Sequence, residues 1–262
     1  MTARQRRQAF WYAHTLYELM GHLAAQAEMP AVRVPRITGN PVAAARCTRE
    51  ALGLAPDQPV RALIRTLERG GVWVVAIPVS LPQREAFSTW AGGDAATPVI
   101  AVAATAAGDR RRFSVAHELG HLVLHWIPQG SLHDVERQAD AFAAEFLLPA
   151  ATMHEAFVPP VTLTTLADLK GHWGVSLQAL IRRARTLERI TPSAYRALYA
   201  QLGARGWRTQ EPIEVPVERP RALRQLAELL YGVPIDYPPL ARAIGLDPRF
   251  LQDLLEAHAA GT

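Results

Sequence analysis

The residues with the clearest chemical content are two histidines and a glutamate in the pentapeptide HELGH at residues 117–121. Residues four apart lie on the same face of a helix, so His117 and His121 can bind one ion together. Zinc accepts imidazole nitrogen, and a catalytic zinc has three protein ligands and an open position for water. Glu118 is placed beside the metal to accept a proton from that water. The spacing predicts a zinc hydrolase site, and the alternative is a helix that carries these residues by coincidence.

A second helix is predicted to supply the third ligand. Residues 135–148 carry apolar side chains at helical spacing, and Pro149 ends the run. Glu136 and Asp140 are four apart and share the polar face, so Glu136 can complete a His, His, Glu set known from catalytic zinc sites. Asp140 can accept the remaining ring N–H of a ligating histidine and fix its tautomer. Zn²⁺ is the expected cofactor, with other divalent metals such as Mn²⁺ as alternatives.

The opposite face of the first helix is predicted to be buried, because Val115, Leu119, Leu122 and Trp126 recur at helical spacing. Gly120 interrupts this helix at a cost of roughly 1 kcal/mol relative to alanine. It indicates either a second backbone that passes close by or a glycine that the helix tolerates without a packing role.

Two further histidines are candidates for the substrate cleft. His125 lies two turns beyond His117 and is angularly displaced, so it cannot reach the same ion. It either lines the cleft or has a packing or surface role, and the second interpretation is favoured. His133, expected on the loop between the two helices, is either solvent-exposed or near the substrate. No residue is assigned to oxyanion stabilisation.

Two stretches of the sequence resemble the ImmA/IrrE metallopeptidase family: RRFSVAHELGHLVLH at residues 111–125 and ERQADAFAAEFLLP at residues 136–149. The likeness covers most of residues 40–207 and includes short stretches at residues 51–54, 85–88, 173–176 and 206–207. The resemblance implies a gluzincin-like peptidase that cleaves a helix-turn-helix, XRE-type repressor or an antitoxin-like partner. Cleavage would relieve repression in a stress or mobile-element response.

The sequence departs from the family pattern at both ends. Many relatives carry an amino-terminal DNA-binding module, whereas this chain starts almost directly with the arginine-rich residues 4–10, so that module is expected to be missing. Radiation-response members end in a sensor-like domain, but residues 208–262 are too few for an independent domain of ordinary size. The activating signal is therefore not predicted.

Composition fits a globular protein with a sizeable core, since 49% of the 262 residues are apolar. The first residues are polar, and no apolar run reaches the length of a membrane span, so a cytoplasmic protein without a membrane partner is expected. Cys47 is the only cysteine, which excludes an internal disulfide and a thiolate cluster for zinc. It is expected to be a small buried side chain on a helix.

The formal net charge of +4 comes almost wholly from arginine, and Lys170 is the only lysine. Residues 110–112 are three consecutive arginines just before the metal-binding helix. The favoured interpretation is a solvated loop, because exposed charge is the usual case. The alternative is a patch that holds an acidic or nucleic-acid-bound partner near the site.

The elements expected to position the site form an α+β fold with a zincin-like core. Helices are predicted at residues 4–28, 41–52 and 60–69, and strands at residues 72–78, 86–90 and 98–103. This order places a small sheet directly before the metal-binding helix. Residues 98–104 are expected to form its edge, where an extended peptide could add by main-chain hydrogen bonds.

The region after residue 159 is predicted to be helical. Residues 163–170 and 176–188, with Ser176 as N-cap, have helix-turn-helix spacing, and a similar shape recurs at residues 240–256. Four arginines of the second helix could face phosphate: Arg182, Arg183, Arg185 and Arg189. A hairpin that packs on the peptidase is favoured because no base-reading set is visible, so direct DNA binding stays an alternative.

Four segments are expected along the chain: an N-terminal helix and linker (1–37), a zincin-like metallopeptidase domain (38–158), a helix-turn-helix-like region (159–210), and a linker with a C-terminal helical region (211–262). The leading hypothesis is a zinc-dependent endopeptidase whose partner is a protein substrate. The alternative is a non-catalytic DNA- or partner-binding regulator with a structural zinc site.

Overall fold

The computed structural model describes residues 3–77, 86–92, 97–103, 107–127 and 130–258, with side chains from residue 11 onward. The chain forms two compact units built from segments that are separate in the sequence. The first comprises Met1–Val34, Ile64–Ala106 and Glu218–Thr262, and the second comprises Pro35–Leu63 and Ala107–Val217. The sequence predicted four segments that follow one another along the chain. That division stays a prediction. In the described ranges, no helix has both the length and the apolar character needed to cross a membrane.

The described elements combine many helices with one small sheet, which agrees with the expected α+β class. In chain order they are α1 (Ala3–Ala24), α2 (Pro41–Ala51), α3 (Leu63–Arg69), β1 (Trp73–Ile77), β2 (Ala86–Ala91), β3 (Thr97–Ala103), α4 (Gly108–Leu124), α5 (Leu132–Leu147), α6 (Ala150–Ala156), α7 (Leu163–Trp173), α8 (Leu177–Thr186), α9 (Pro192–Ala204), α10 (Ala222–Tyr231), α11 (Tyr237–Ile244) and α12 (Pro248–Glu256). The first and third helices are shorter than predicted.

The three described strands form a sheet in the order β1-β3-β2. β3 pairs in parallel with β1, where Val99 lies opposite Trp73, and antiparallel with β2, where Val102 lies opposite Ala86. The expectation that residues 98–104 form the edge is wrong, because β3 is the middle strand. Six of its seven residues are buried, as a continuous apolar run requires when a strand is covered on both faces.

The core of the first unit is built around α1, β1 and the three C-terminal helices. The sequence pattern predicts five buried positions in α1: Phe10, Leu16, Leu19, Met20 and Leu23. The last four are buried, and the Phe10 side chain lies outside the described residues. Leu223, Leu251 and Leu255 join the same core.

A buried histidine satisfies the backbone of β1. The Ala76 N–H donates to His258 Nε2 at 2.9 Å, and His258 Nδ1 donates to the Leu254 carbonyl at 3.0 Å. Burial lowers the pKa of His258 to about 4. The neutral imidazole therefore supplies one acceptor and one donor to groups that would otherwise lose their hydrogen bonds to water.

A buried carboxylate ties α5 to its neighbours in the second unit. Glu145 is 1% exposed and accepts hydrogen bonds from Arg46 of α2 at 2.9 Å and from Arg183 of α8. Arg183 also donates to the Leu148 carbonyl at 2.9 Å. A buried charge needs this kind of pairing to offset its loss of hydration, so these contacts fix α5 between α2 and α8.

A second buried ion cluster lies at the start of α4. The Lys170 ammonium is 1% exposed and forms ion pairs with Asp109 and, at 2.9 Å, with Glu211. We call these three residues the lysine triplet. A Cβ on Gly108 would lie 2.1 Å from the Val215 carbonyl oxygen, so only glycine permits this close approach of the chain.

The arginine run at residues 110–112 is not a solvated loop, and that favoured interpretation is wrong. Arg111 and Arg112 lie within α4 and are 4% and 5% exposed. Arg112 donates to the Val60 carbonyl and, at 3.0 Å, to the Gly174 carbonyl. These acceptors come from distant parts of the sequence, and Arg112 ties α4 to both of them.

The predicted hairpin after residue 159 consists of α7 and α8. Ser176 caps α8 by accepting the Ala179 N–H at 3.1 Å, and Gly174 ends α7 in the left-handed conformation with φ 66°. Arg183 is buried against Glu145, and Arg189 donates to the Phe157 carbonyl at 3.3 Å. Both arginines therefore serve packing within the second unit.

Two exposures differ from expectation. Cys47 is exposed on α2 rather than buried, because Ala44, Ala45 and Thr48 form the buried face of that helix. Trp126 follows the end of α4 and is 37% exposed, with the Arg36 guanidinium 5.9 Å from its ring centroid. The predicted apolar face of α4 therefore ends at Leu122, which is buried with Val115 and Leu119.

Candidate metal centre

Close packing of α4 on α5 positions the candidate ligands. A Cβ on Gly120 would lie 3.1 to 3.2 Å from side-chain atoms of Phe142. The neighbour is thus a side chain, where the sequence suggested a backbone. Phe142, Ala139 and Ala143 of α5 are buried, so the apolar faces of the two helices meet and their polar residues are left at the rim.

The structure brings the three predicted ligand atoms together. His117 Nε2 lies 3.0 Å from His121 Nε2 and 3.1 Å from Glu136 Oε2, and His121 Nε2 lies 3.8 Å from the same oxygen. Zinc bonds of 2.0–2.2 Å in tetrahedral geometry separate neighbouring ligand atoms by about 3.3 Å. The observed separations lie on both sides of that value, and the donor types suit zinc. The residues present therefore fit a zinc ion with three protein ligands.

These ligand side chains are partly open to solvent. The exposed fraction is 17% for His117, 18% for His121 and 37% for Glu136. The cluster is therefore accessible to water.

Asp140 lies where the sequence predicts a supporting carboxylate. His117 Nδ1 donates to Asp140 Oδ1 at 2.9 Å, which leaves Nε2 directed at Glu136 and His121. Burial by itself lowers the pKa of His117, but the hydrogen bond and charge of Asp140, with the charges of Glu118 and Glu136, outweigh it and raise that pKa. The surroundings of His117 thus favour a cation.

Glu118 is 7% exposed and adjacent in sequence to the first histidine. Its charge contributes to the raised pKa of His117, so its carboxylate is electrostatically part of the cluster. Glu118 is therefore a buried carboxylate whose charge acts on a candidate metal ligand.

The two histidines considered for a substrate cleft have different surroundings. His125 caps the end of α4 and lies within hydrogen-bond distance of His121 and Gln138. It contacts a candidate ligand without joining the ligand set. His133 lies in the first turn of α5 rather than in a loop, and it is exposed.

Arg182 of α8 was considered as a possible phosphate contact, but its tyrosine partners on α9 were not predicted. Arg182 Nε donates to the Tyr199 hydroxyl at 3.3 Å, and the rings of Tyr195 and Tyr199 are 4.8 Å apart. The hydrogen bond that Arg182 donates to Tyr199 is the main cause of a raised Arg182 pKa, to which the charge of Asp140 also contributes. This group therefore lies in electrostatic range of the candidate metal site. We call its three candidate ligands, His117, His121 and Glu136, the metal cluster. The four-residue spacing of the tyrosines was the sequence signal of the group on α8 and α9.

A helix pair that presents two histidines and a glutamate to one point is characteristic of metallopeptidases. Residues 67–185 match the family model for the IrrE N-terminal-like domain, Peptidase_M78. This match includes α4 and α5 and supports an ImmA/IrrE family metallopeptidase. A search of curated proteins finds no match.

Proposed function

We propose that the protein is a zinc-dependent endopeptidase in which His117, His121 and Glu136 hold the ion. Glu118 is the general base. The observation that carries this proposal is the approach of one Glu136 oxygen and two imidazole Nε2 atoms to within 3.0 to 3.8 Å of one another. Three protein ligands are the number found in catalytic zinc sites, whereas structural sites almost always have four.

The chain's own residues would divide the chemistry as follows. A zinc ion bound by these residues would supply a Lewis acid for the scissile carbonyl and would lower the pKa of its water towards neutrality. Glu118 accepts the proton of the attacking water and then delivers it to the leaving amine nitrogen. Asp140 would hold the His117 ring through its Nδ1–H, which would leave Nε2 available as a ligand.

The proposed substrate is a cytoplasmic helix-turn-helix protein of the XRE type, or an antitoxin-like partner, whose cleavage relieves repression in a stress or mobile-element response. The support for this substrate is the family to which the metallopeptidase domain belongs. A protease domain also implies a protein substrate in general.

The regulator alternative receives less support. Arg183 and Arg189, which could have faced phosphate, are engaged with Glu145 and the Phe157 carbonyl. Incubation with a repressor encoded beside this gene separates the two hypotheses. Fragments that depend on zinc favour the peptidase, and specific DNA retention without fragments favours the regulator.

The decisive variant is Glu118→Gln, which keeps the shape of the side chain but removes its basicity. We expect full zinc content and a fall in cleavage rate of about 10²–10⁴-fold, the usual contribution of a general base. Glu155→Gln is the matched control, because Glu155 is exposed on α6. An undiminished cleavage rate in Glu118→Gln would rule out its assigned role.

A further inference from the structure

A series of hydrogen-bond contacts connects His121 of the metal cluster to His125 and then to Gln138. His121 Nδ1 lies 3.0 Å from His125 Nδ1, and His125 Nε2 lies 3.1 Å from Gln138 Oε1. The His125 backbone N–H donates to the His121 carbonyl at 2.9 Å, which keeps the two residues one helical turn apart. Gln138 belongs to α5, so both helices of the cluster contribute to this series of contacts.

The amide oxygen of Gln138 determines where the protons lie. A neutral imidazole has one N–H donor and one acceptor nitrogen, and an amide oxygen can only accept. His125 Nε2 must therefore carry a proton, which leaves His125 Nδ1 as an acceptor. His121 Nδ1 must then carry a proton, with which it donates a hydrogen bond to His125 Nδ1. The lone pair of His121 is thereby confined to Nε2, the atom that lies 3.0 Å from His117 Nε2.

The opposite orientation of Gln138 would have the opposite result. An amide NH₂ directed at His125 would make its Nε2 the acceptor and its Nδ1 the donor. His121 would then be protonated on Nε2 and could not bind a metal through that atom. The direction of one amide group, two residues from Glu136, thus decides whether the second histidine is ready to bind.

We propose that His125 and Gln138 are positioning residues that hold His121 in the metal-binding tautomer before the ion arrives. This inference deepens the proposed zinc site and rests on it. His117 is oriented directly by the charged Asp140 at 2.9 Å, whereas His121 is oriented through the neutral His125. Both histidines are therefore held with the proton on Nδ1, His117 by a charged acceptor and His121 by a neutral one.

The first measurement is the tautomer of His121 in zinc-free protein, from the nitrogen-15 chemical shifts of its ring in alkaline solution. Wild type is expected to carry the proton on Nδ1. His125→Phe and Gln138→Met should give a mixture of tautomers, because the acceptor that selects one is lost. Gln138→Glu should retain the wild-type tautomer, because a carboxylate only accepts. A His121 ring unaffected by both of the first two variants would overturn the proposal.

The second measurement is zinc affinity, by competition with a chelator. His125→Phe is expected to weaken binding by about 10–100-fold, the usual effect of losing an outer partner of a metal ligand. Gln138→Met should weaken it less, and Gln138→Glu should restore it. The controls are His154→Phe and Gln201→Met, since both residues are exposed on α6 and α9. Wild-type affinity in His125→Phe would contradict the proposal.

Failure of the proposed function would be recognised separately. If wild-type protein takes up no zinc, the zinc site itself is wrong, and the tautomer measurement still decides the part played by His125 and Gln138. The thermal unfolding midpoint of each zinc-free variant distinguishes a local change from misfolding. The Gln138→Met and Gln138→Glu pair keeps the test intact if His125→Phe does not fold.

Discussion

The metal cluster and the lysine triplet both gather charged side chains around α4, yet they differ in one respect. Within the triplet Lys170 is 1% exposed and ion-paired with both carboxylates, so its charges are compensated inside the protein. In the metal cluster the acceptor atoms of His117, His121 and Glu136 face one another at 17–37% exposure. The triplet is ion-paired within itself, whereas the cluster brings together three atoms of the types that bind zinc. Burial and pairing thus separate a structural site from a binding site.

The largest expected effect is the loss of zinc binding in His121→Ala. Two ligands remain, so the fall in affinity should exceed the about 10–100-fold typical of outer partners. Cleavage should disappear with the metal, while the thermal unfolding of zinc-free protein should change little, because the side chain is partly exposed. Metal analysis measures the zinc content, and calorimetry measures the thermal unfolding of the zinc-free protein. Wild-type zinc content in this variant would sink the ligand assignment.

Lys170→Met should have the reverse effect, which is a loss of stability rather than a loss of zinc binding. Removal of the ammonium leaves Asp109 and Glu211 as unpaired charges near the start of α4, and breaking a buried pair costs about 3–5 kcal/mol. Chemical denaturation measures this loss in the free energy of unfolding. If the variant is as stable as wild type, the contrast between the two clusters fails.

The pH dependence of stability should report the buried His258 of the first unit. Its pKa is about 4 when folded and 6.5 in the ordinary state, so the unfolded chain binds the proton more readily between these values. The stabilisation is complete above about pH 6.5 and is lost as the pH falls to about 4, a change of about 3 kcal/mol for this group. The difference between unfolding curves of wild type and His258→Gln isolates it. Parallel curves from pH 7 to pH 4 would contradict the prediction.

Gly120→Ala should give the smallest effect. The new methyl group would lie 3.1 Å from Phe142, so that ring must shift, at a cost of about 1–3 kcal/mol. The gain in helix propensity of about 1 kcal/mol offsets part of this loss. We expect a small net loss in the free energy of unfolding, with zinc affinity reduced because α4 and α5 separate slightly. Gly203→Ala on α9 is the control, since its Cβ would lie 3.4 Å from a flexible arginine side chain.

The sequence was most informative where chemistry depends on spacing along one helix. The pairs His117 with His121 and Glu136 with Asp140 could be placed because the four-residue period assigns them to one face. The Ser176 cap was predictable for the same local reason.

Features that depend on distant partners could not be predicted. The apolar run at residues 97–103 carries no sign of which strands flank it, so its central place in the sheet was missed. Arg112 is buried because carbonyls from residues 60 and 174 meet it. Gln138 lies two residues from both Glu136 and Asp140, where helical periodicity gives no sign that it reaches His125.

Anomalous X-ray scattering at the zinc edge, from crystals of zinc-loaded Glu118→Gln protein, tests the central claim most directly. We expect one ion bound by Nε2 of His117, Nε2 of His121 and the Glu136 carboxylate, with a fourth position open to solvent. An ion elsewhere in the protein, or one closed by a fourth protein ligand, would contradict it.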